Sequence, residues 1–187
     1  MTNGKKTLIF YHIFVSRMYM DNDFAQRYLK NVIRSANGIK SLAESALAQV
    51  KDEELSVAIK EESNSITTIM KHISGKMLHS WNDPFASLED RPIRDRDSEF
   101  IAGIDDTKKV LFEIWDEAWN AFFEALNKFS PDDLMKTITE YGGREYILMD
   151  ALINHLVHYS RHVGQIIFIA KYFRDTDWEF LSTPRKR

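Results

Sequence analysis

The chain contains no cysteine. That absence excludes disulfide scaffolds, cysteine zinc sites, iron–sulfur clusters and cysteine nucleophiles together. Proline is nearly as scarce, at 4 in 187 residues, and segments 1–83, 93–130 and 132–183 have none. Long helices therefore meet no interruption. Only 7 glycines are present, which rules out collagenous, linker-rich or low-complexity organisation. Charge of one sign is not in excess either. Lys and Arg number 25 against 28 Asp and Glu, a formal net charge of −3, which argues against a nucleic-acid surface. No apolar run is long enough to span a membrane. Lys5-Lys6 followed by Leu8 to Val15 superficially looks like a secretory signal. Against that, His12 lies inside the run, Arg17 follows it, and no small-residue cleavage pattern precedes Asp21. A cytoplasmic protein is expected. Residues 1–21 are read as an N-terminal extension, either an added amphipathic segment or residues ahead of a natural start at Met18 or Met20. Residues 22–187 form one domain.

With 44% hydrophobic and 28% charged residues, such a chain can bury a sizeable core without covalent staples. Between Asp23 and Val50 the residues Tyr28, Val32, Ala36, Ile39, Ala43, Ala46, Leu47 and Val50 follow three- and four-residue steps, the mark of an amphipathic helix. The acidic stretch from Asp52 to Glu62 is a connection with room for one helical turn. A second helix is predicted from Ser63 to Trp81, with Ser63 or Asn64 as N-cap and Ile66, Ile69, Met70, Ile73 and Met77 as its stripe. Asn82 to Gly103 is irregular, broken at Pro84 and Pro92, and a loop of that length is more often functional than idle. A third helix runs from Asp105 to Lys128, with Leu111, Trp115, Ala118, Trp119, Phe122 and Leu126 on one face. Ser130-Pro131 restarts helical structure. Lys136 to Ile147, centred on Gly142-Gly143, reads as a turn between two extended stretches, and a last helix spans Leu148 to Phe173. The tail from Thr176, ending in Pro184-Arg185-Lys186-Arg187, is expected to fray. Four long amphipathic helices predict an all-α four-helix bundle.

Any chemistry must come from histidines, carboxylates, hydroxyls or a bound cofactor. Three of the 6 histidines, His155, His158 and His162, fall in one eight-residue stretch of the last helix, about two turns. With His155 as zero, His162 lies near about −20° and His158 near about −60°, flanking the stripe of Leu152, Leu156, Tyr159, Val163, Ile166 and Ala170. His158 and His162 are four apart, the spacing that lets two imidazoles converge on one ion. The second helix carries Thr68, His72, Gly75 and His79 on a shared face, where small residues leave room for a ligand or another helix. If His72 meets His158 and His162 across the bundle, a three-histidine metal site results, with His155 an alternative ligand. Other architectures fail on the page. No Glu-x-x-His precedes any histidine, and His-Glu-x-x-His, Gly-x-Ser-x-Gly and phosphate-cradling glycine loops are all absent.

Asn64-Ser65-Ile66, Lys71-His72-Ile73-Ser74-Gly75-Lys76-Met77, Arg94-Asp95-Arg96-Asp97-Ser98-Glu99-Phe100 and His158-Tyr159-Ser160-Arg161-His162-Val163-Gly164-Gln165-Ile166, in that order and spacing, resemble the DinB/YfiT-like superfamily. More narrowly they resemble its branch of uncharacterised bacterial proteins, over about residues 22 to 183. The resemblance implies an up-down-down-up four-helix bundle, often a homodimer, with a long loop between the second and third helices. It further implies a divalent metal, zinc or nickel, held by His72, His158 and His162, with His155 and His79 outside the ligand set. Some superfamily members are transferases or isomerases that use low-molecular-weight thiols. One departure is His79-Ser80, where an arginine is expected shortly before Trp81. A damage-inducible family label suggests DNA binding, but only the Arg185-Lys186-Arg187 tail is basic.

Two classes of function follow. One is a metal-dependent transferase or hydrolase acting on a small molecule, with Arg94 and Arg96 as substrate-carboxylate ligands and Gln165 beside the metal. Its bland counterpart makes residues 94–97 a surface ion-pair strip. The other class is a non-catalytic dimeric bundle with a structural metal or none, in which Trp115, Trp119, Phe122 and Phe123 form an interface, although a stripe at this spacing is more often plain core.

Overall fold

The computed structural model describes residues 3–182, and side chains from residue 22 onward. Among the described residues there are four long helices: α1 (Asn3–Leu47), α2 (Ile66–Trp81), α3 (Lys108–Lys128) and α4 (Leu148–Arg174). A small antiparallel hairpin, β1 (Thr137–Glu140) and β2 (Arg144–Ile147), precedes α4. No helix is long and apolar enough to cross a membrane. The tail expected to fray from Thr176 starts within a 3-10 turn, Asp175–Asp177, and its residues 183–187 lie outside the described residues.

Contacts along the helices fix their directions. The Tyr28 hydroxyl donates to the Met149 carbonyl at 2.5 Å, while Gln49, just past α1, reaches the Glu179 carbonyl beyond the end of α4. So α1 and α4 run parallel. At one end of α2, Lys71 pairs with Asp106 ahead of α3; at its other end, Trp81 packs on Phe122 near the end of α3. So α2 and α3 also run parallel, which requires residues 82–107 to travel back along the bundle. The topology is up-down-down-up. Two 3-10 turns, Leu88–Asp90 and Ser98–Phe100, lie in that crossover, and the buried Arg91 guanidinium donates to the Pro84 and Ala86 carbonyls to hold it folded.

Element boundaries differ from expectation in instructive ways. The first helix starts at Asn3 rather than Asp23, because no glycine or proline lies between residues 5 and 37 to stop it. The cap of α2 is Ser65, whose hydroxyl accepts from the Thr68 amide at 3.2 Å, not Ser63 or Asn64. Thr107 does the same for Val110, so α3 begins three residues after the sequence suggests. Ser130-Pro131 opens only a short 3-10 turn to Met135. In the hairpin, Gly142 (φ 83°) and Gly143 (φ 78°) occupy left-handed backbone that a side chain would strain. The amide of Leu148 donates to the Lys136 carbonyl at 2.8 Å, so the hairpin itself satisfies the start of α4.

The core is the sum of the expected stripes. Val32, Ala36, Ala43 and Leu47 of α1 face Ile166, Ile169 and Ala170 in one cluster with Ile66, Ile73 and Met77. Trp81, Trp115, Trp119, Phe122 and Tyr159 are fully buried, with ring centroids 4.9 Å apart for Trp81–Phe122 and 5.6 Å for Phe122–Tyr159. Each such ring contributes about 2–3 kcal/mol through burial. Trp115, Trp119 and Phe122 are therefore core, which corrects the reading of this stripe as an interface between chains. The aromatic layer locks α2, α3 and α4 together directly against the histidines of α4, with ring centroids 4.8 Å apart for Trp81–His155 and 5.8 Å for His158–Tyr159.

Candidate metal centre

His72 projects from the middle of α2 towards α4, where His158 and His162 stand one turn apart. One ring nitrogen from each lies within 4.8 Å of the other two. Ring centroids are separated by 4.5 Å for His158–His162, 4.9 Å for His72–His162 and 5.2 Å for His72–His158. The i,i+4 spacing on α4 and the crossing of α2 thus bring together the three residues that the sequence singles out. Such a group could hold a metal ion.

The surrounding hydrogen bonds decide which nitrogens are available. The Nδ1–H of His72 donates to Glu99 Oε2 at 2.9 Å, and Glu99 in turn accepts from Arg94 Nε at 2.7 Å and Nη2 at 2.8 Å. His162 Nδ1–H donates to Gln165 Oε1 at 3.0 Å. Both bonds direct Nε2 of His72 and of His162 away from these partners with a free lone pair, the arrangement in which an outer carboxylate or amide orients a ligating histidine. His158 Nε2 is buried with no hydrogen-bond partner. A buried nitrogen left unpaired among two oriented imidazoles is what a removed ion would leave, so the residues fit a divalent cation.

Electrostatics keeps the two imidazoles of α4 neutral. Burial pushes the His158 imidazole down to about 2, helped by the charges of His162, Lys76, His72 and His155. His162 is also lowered, mainly by burial, against the raising effect of its bond to Gln165. Burial tends to raise the Glu99 carboxyl, but the bonds from His72 and Arg94 and the Arg94 charge hold it below the usual carboxylate range. Neutral imidazoles are the form that binds metal.

Glu99 is the residue the sequence did not reveal, since it lies 27 positions from His72 in the irregular crossover. Its signal was Gly75, expected to leave space for a ligand or helix. A Cβ there would sit 2.3 Å from Glu99 Oε1, so the space is taken by that carboxylate. Arg94 has a side chain only 5% exposed and engages Glu99 through a two-bond fork, so it is neither a surface strip nor a free pair of donors. Arg96 is exposed and lies over the Phe100 ring, which in turn packs 5.1 Å from His72.

His155 does not join the group. It is buried, with Nε2 donating to Glu140 Oε1 at 2.7 Å and Nδ1 accepting from the Tyr159 hydroxyl at 2.7 Å; Trp81 Nε1 donates to that hydroxyl at 2.9 Å. Both nitrogens are engaged, which removes His155 as an alternative ligand. Burial lowers the His155 imidazole and keeps it neutral, while Glu140 is held to about 2: burial opposes this, and the bond from His155 and the charge of Lys76 outweigh it. His79 points elsewhere, with Nδ1 donating to the Pro92 carbonyl at 3.0 Å. Ser80, in place of the expected arginine, donates to Glu140.

The family described as "Protein of unknown function (DUF1572)" matches residues 23–187. The chain belongs to this family. Among solved structures, a DinB-like protein from Bacillus cereus ATCC 10987 matches this DUF1572 chain with a TM-score of 0.53 at 17% identity, over 78% of this chain and 90% of that one. At that identity the likeness is one of fold. The comparison with curated proteins returns no match. The DinB-like bundle and its four helices agree with the resemblance read from the sequence; the DUF1572 match begins at residue 23, inside α1.

Proposed function

We propose that this DUF1572 protein is a metal-dependent enzyme, a transferase or hydrolase, that holds a divalent ion on His72, His158 and His162. The observation that carries the reading is the buried, unpartnered Nε2 of His158 beside two imidazoles whose Nδ1 atoms are already bonded to Glu99 and Gln165. An all-imidazole set suits zinc or nickel among the available ions. The chain has no cysteine, His155 is engaged at both nitrogens, and no fourth ligand joins the group among the described residues. Three protein ligands with positions left open mark a catalytic rather than a closed structural site. A divalent ion held by these three residues would supply Lewis acidity, lowering the pKa of water or of a small thiol cosubstrate.

The chain's own residues do the rest. Glu99 fixes the tautomer and tilt of His72 and carries a negative charge one residue removed from the ion. Arg94 balances that charge and pins the carboxylate. Gln165 orients His162 without adding charge. Phe100 packs against the His72 ring and limits water on that side.

Metal analysis of protein purified without a histidine tag tests the reading. One equivalent of zinc or nickel is expected, lost in His72→Ala and His158→Ala, with added thiol or azide perturbing the spectrum of the cobalt-substituted form. Metal content unchanged in both variants would leave a non-catalytic binding bundle as the better account.

A further inference from the structure

Beside the histidine group lies a cleft of about 330 Å³ that nothing in the metal reading uses. Its wall is shared with the site, because His158 lines it. Three cations from three different elements border it: Lys76 of α2, Arg144 of β2 and Arg161 of α4. The one carboxylate in its lining, Glu140, is already committed to His155 at 2.7 Å and to Lys76 at 3.3 Å. The hairpin register sets Glu140 opposite Arg144, the usual place for a cross-strand ion pair. That pair does not form, since the Glu140 side chain turns inward to His155. Arg144 and Arg161 accordingly have no carboxylate within 4.0 Å among the described residues. Lys76 cancels the Glu140 charge, so two unpaired guanidinium groups on one concave surface give the cleft an excess positive charge in a place where planar forks can grip an oxyanion.

We propose that this cleft binds the carboxylate or phosphate of an anionic small molecule, with Arg144 and Arg161 as its ligands, and so orients the rest of that molecule towards the His158 edge of the histidine group. The anion end stands on the cleft alone; only the direction of the other end rests on the metal reading.

Two measurements separate the parts. First, the metal-free, isotopically labelled full chain is titrated with succinate, with inorganic phosphate and with neutral succinamide, followed by amide NMR. Succinate or phosphate should shift resonances of the cleft residues and succinamide should not; which anion is preferred distinguishes a carboxylate from a phosphate ligand. Arg144→Gln and Arg161→Gln, both surface changes that leave the spectrum folded, should each weaken binding by about fivefold or more. No response to either anion, or unaltered binding in both variants, would overturn the proposal. Second, cobalt(II)-loaded protein is titrated with mercaptosuccinate and with 2-mercaptoethanol, read by thiolate-to-cobalt absorption. A preference of about tenfold for the dicarboxylate thiol, lost in Arg144→Gln, is expected. Cobalt uptake with no such preference would overturn the link between cleft and ion. Failure to take up cobalt would defeat the metal reading while the first titration still judges the anion site.

Discussion

Gly75 and Gly164 each sit inside a long helix of this bundle, and the same substitution should have opposite consequences at the two. In an ordinary helix interior, glycine to alanine stabilises by about 1 kcal/mol. At Gly164 an added Cβ meets nothing within 4 Å, so Gly164→Ala should show most of that gain. At Gly75 the added Cβ would lie 2.3 Å from Glu99 Oε1. A glutamate tip can normally swing aside. Here it is buried and pinned by a two-bond fork from Arg94 and by His72. Displacing it weakens at least two charge-assisted bonds, each contributing about 1.5–3 kcal/mol. Against the helix gain, Gly75→Ala should lose a net of about 2 kcal/mol, or about 4–8 °C in Tm at this chain length. It should also lower metal affinity about 10- to 100-fold, since His72 loses the partner that orients it. Thermal unfolding of the metal-free forms and competition titration with a zinc indicator read the two effects separately. A Gly75→Ala protein as stable as Gly164→Ala, with unaltered zinc affinity, would refute the role assigned to Glu99.

Other outcomes follow from the same geometry. Glu99→Gln keeps the shape but not the charge, and should cost about tenfold or more in zinc affinity with a smaller loss of stability than Gly75→Ala, measured by the same titration. Trp119→Ala should destabilise by about 3–5 kcal/mol in denaturant unfolding, because the ring is fully buried in the aromatic layer; an effect confined to oligomeric state would contradict its place in the core. The metal-free protein should lose stability as pH falls below about 6.5, the unfolded histidine value. His158, held to about 2 when folded, binds its proton only on unfolding in that window, and His162 and His155 are displaced in the same direction. The slope from His158 alone is at most about 1.4 kcal/mol per pH unit, and a flat profile between pH 7 and pH 5 would contradict its burial.

The bundle was legible because its stripes are long and unbroken: Val32 to Val50, Ile66 to Met77 and Leu111 to Leu126 bury as their spacing predicts. Boundaries were less so. Ser63, Asn64 and Ser65 are equally able to cap a helix, and the choice of Ser65 is made by tertiary contacts such as the Thr67 amide donating to the Leu55 carbonyl. His158 and His162 announced themselves by a one-turn spacing, but spacing alone did not separate His72 from His79 or exclude His155. That distinction depends on Glu140 and Pro92, which occupy His155 and His79 from the hairpin and the crossover. Glu99 was hidden for the same reason: a partner supplied by a loop leaves no periodic trace, only a glycine on the facing helix.

X-ray absorption at the metal edge of tag-free protein tests the central claim most directly. Three imidazole nitrogens at about 2.0–2.1 Å, with the remaining positions filled by exchangeable ligands and one imidazole lost in His158→Ala, is the predicted spectrum. A shell built from oxygen alone, or one indifferent to His158→Ala, would contradict it.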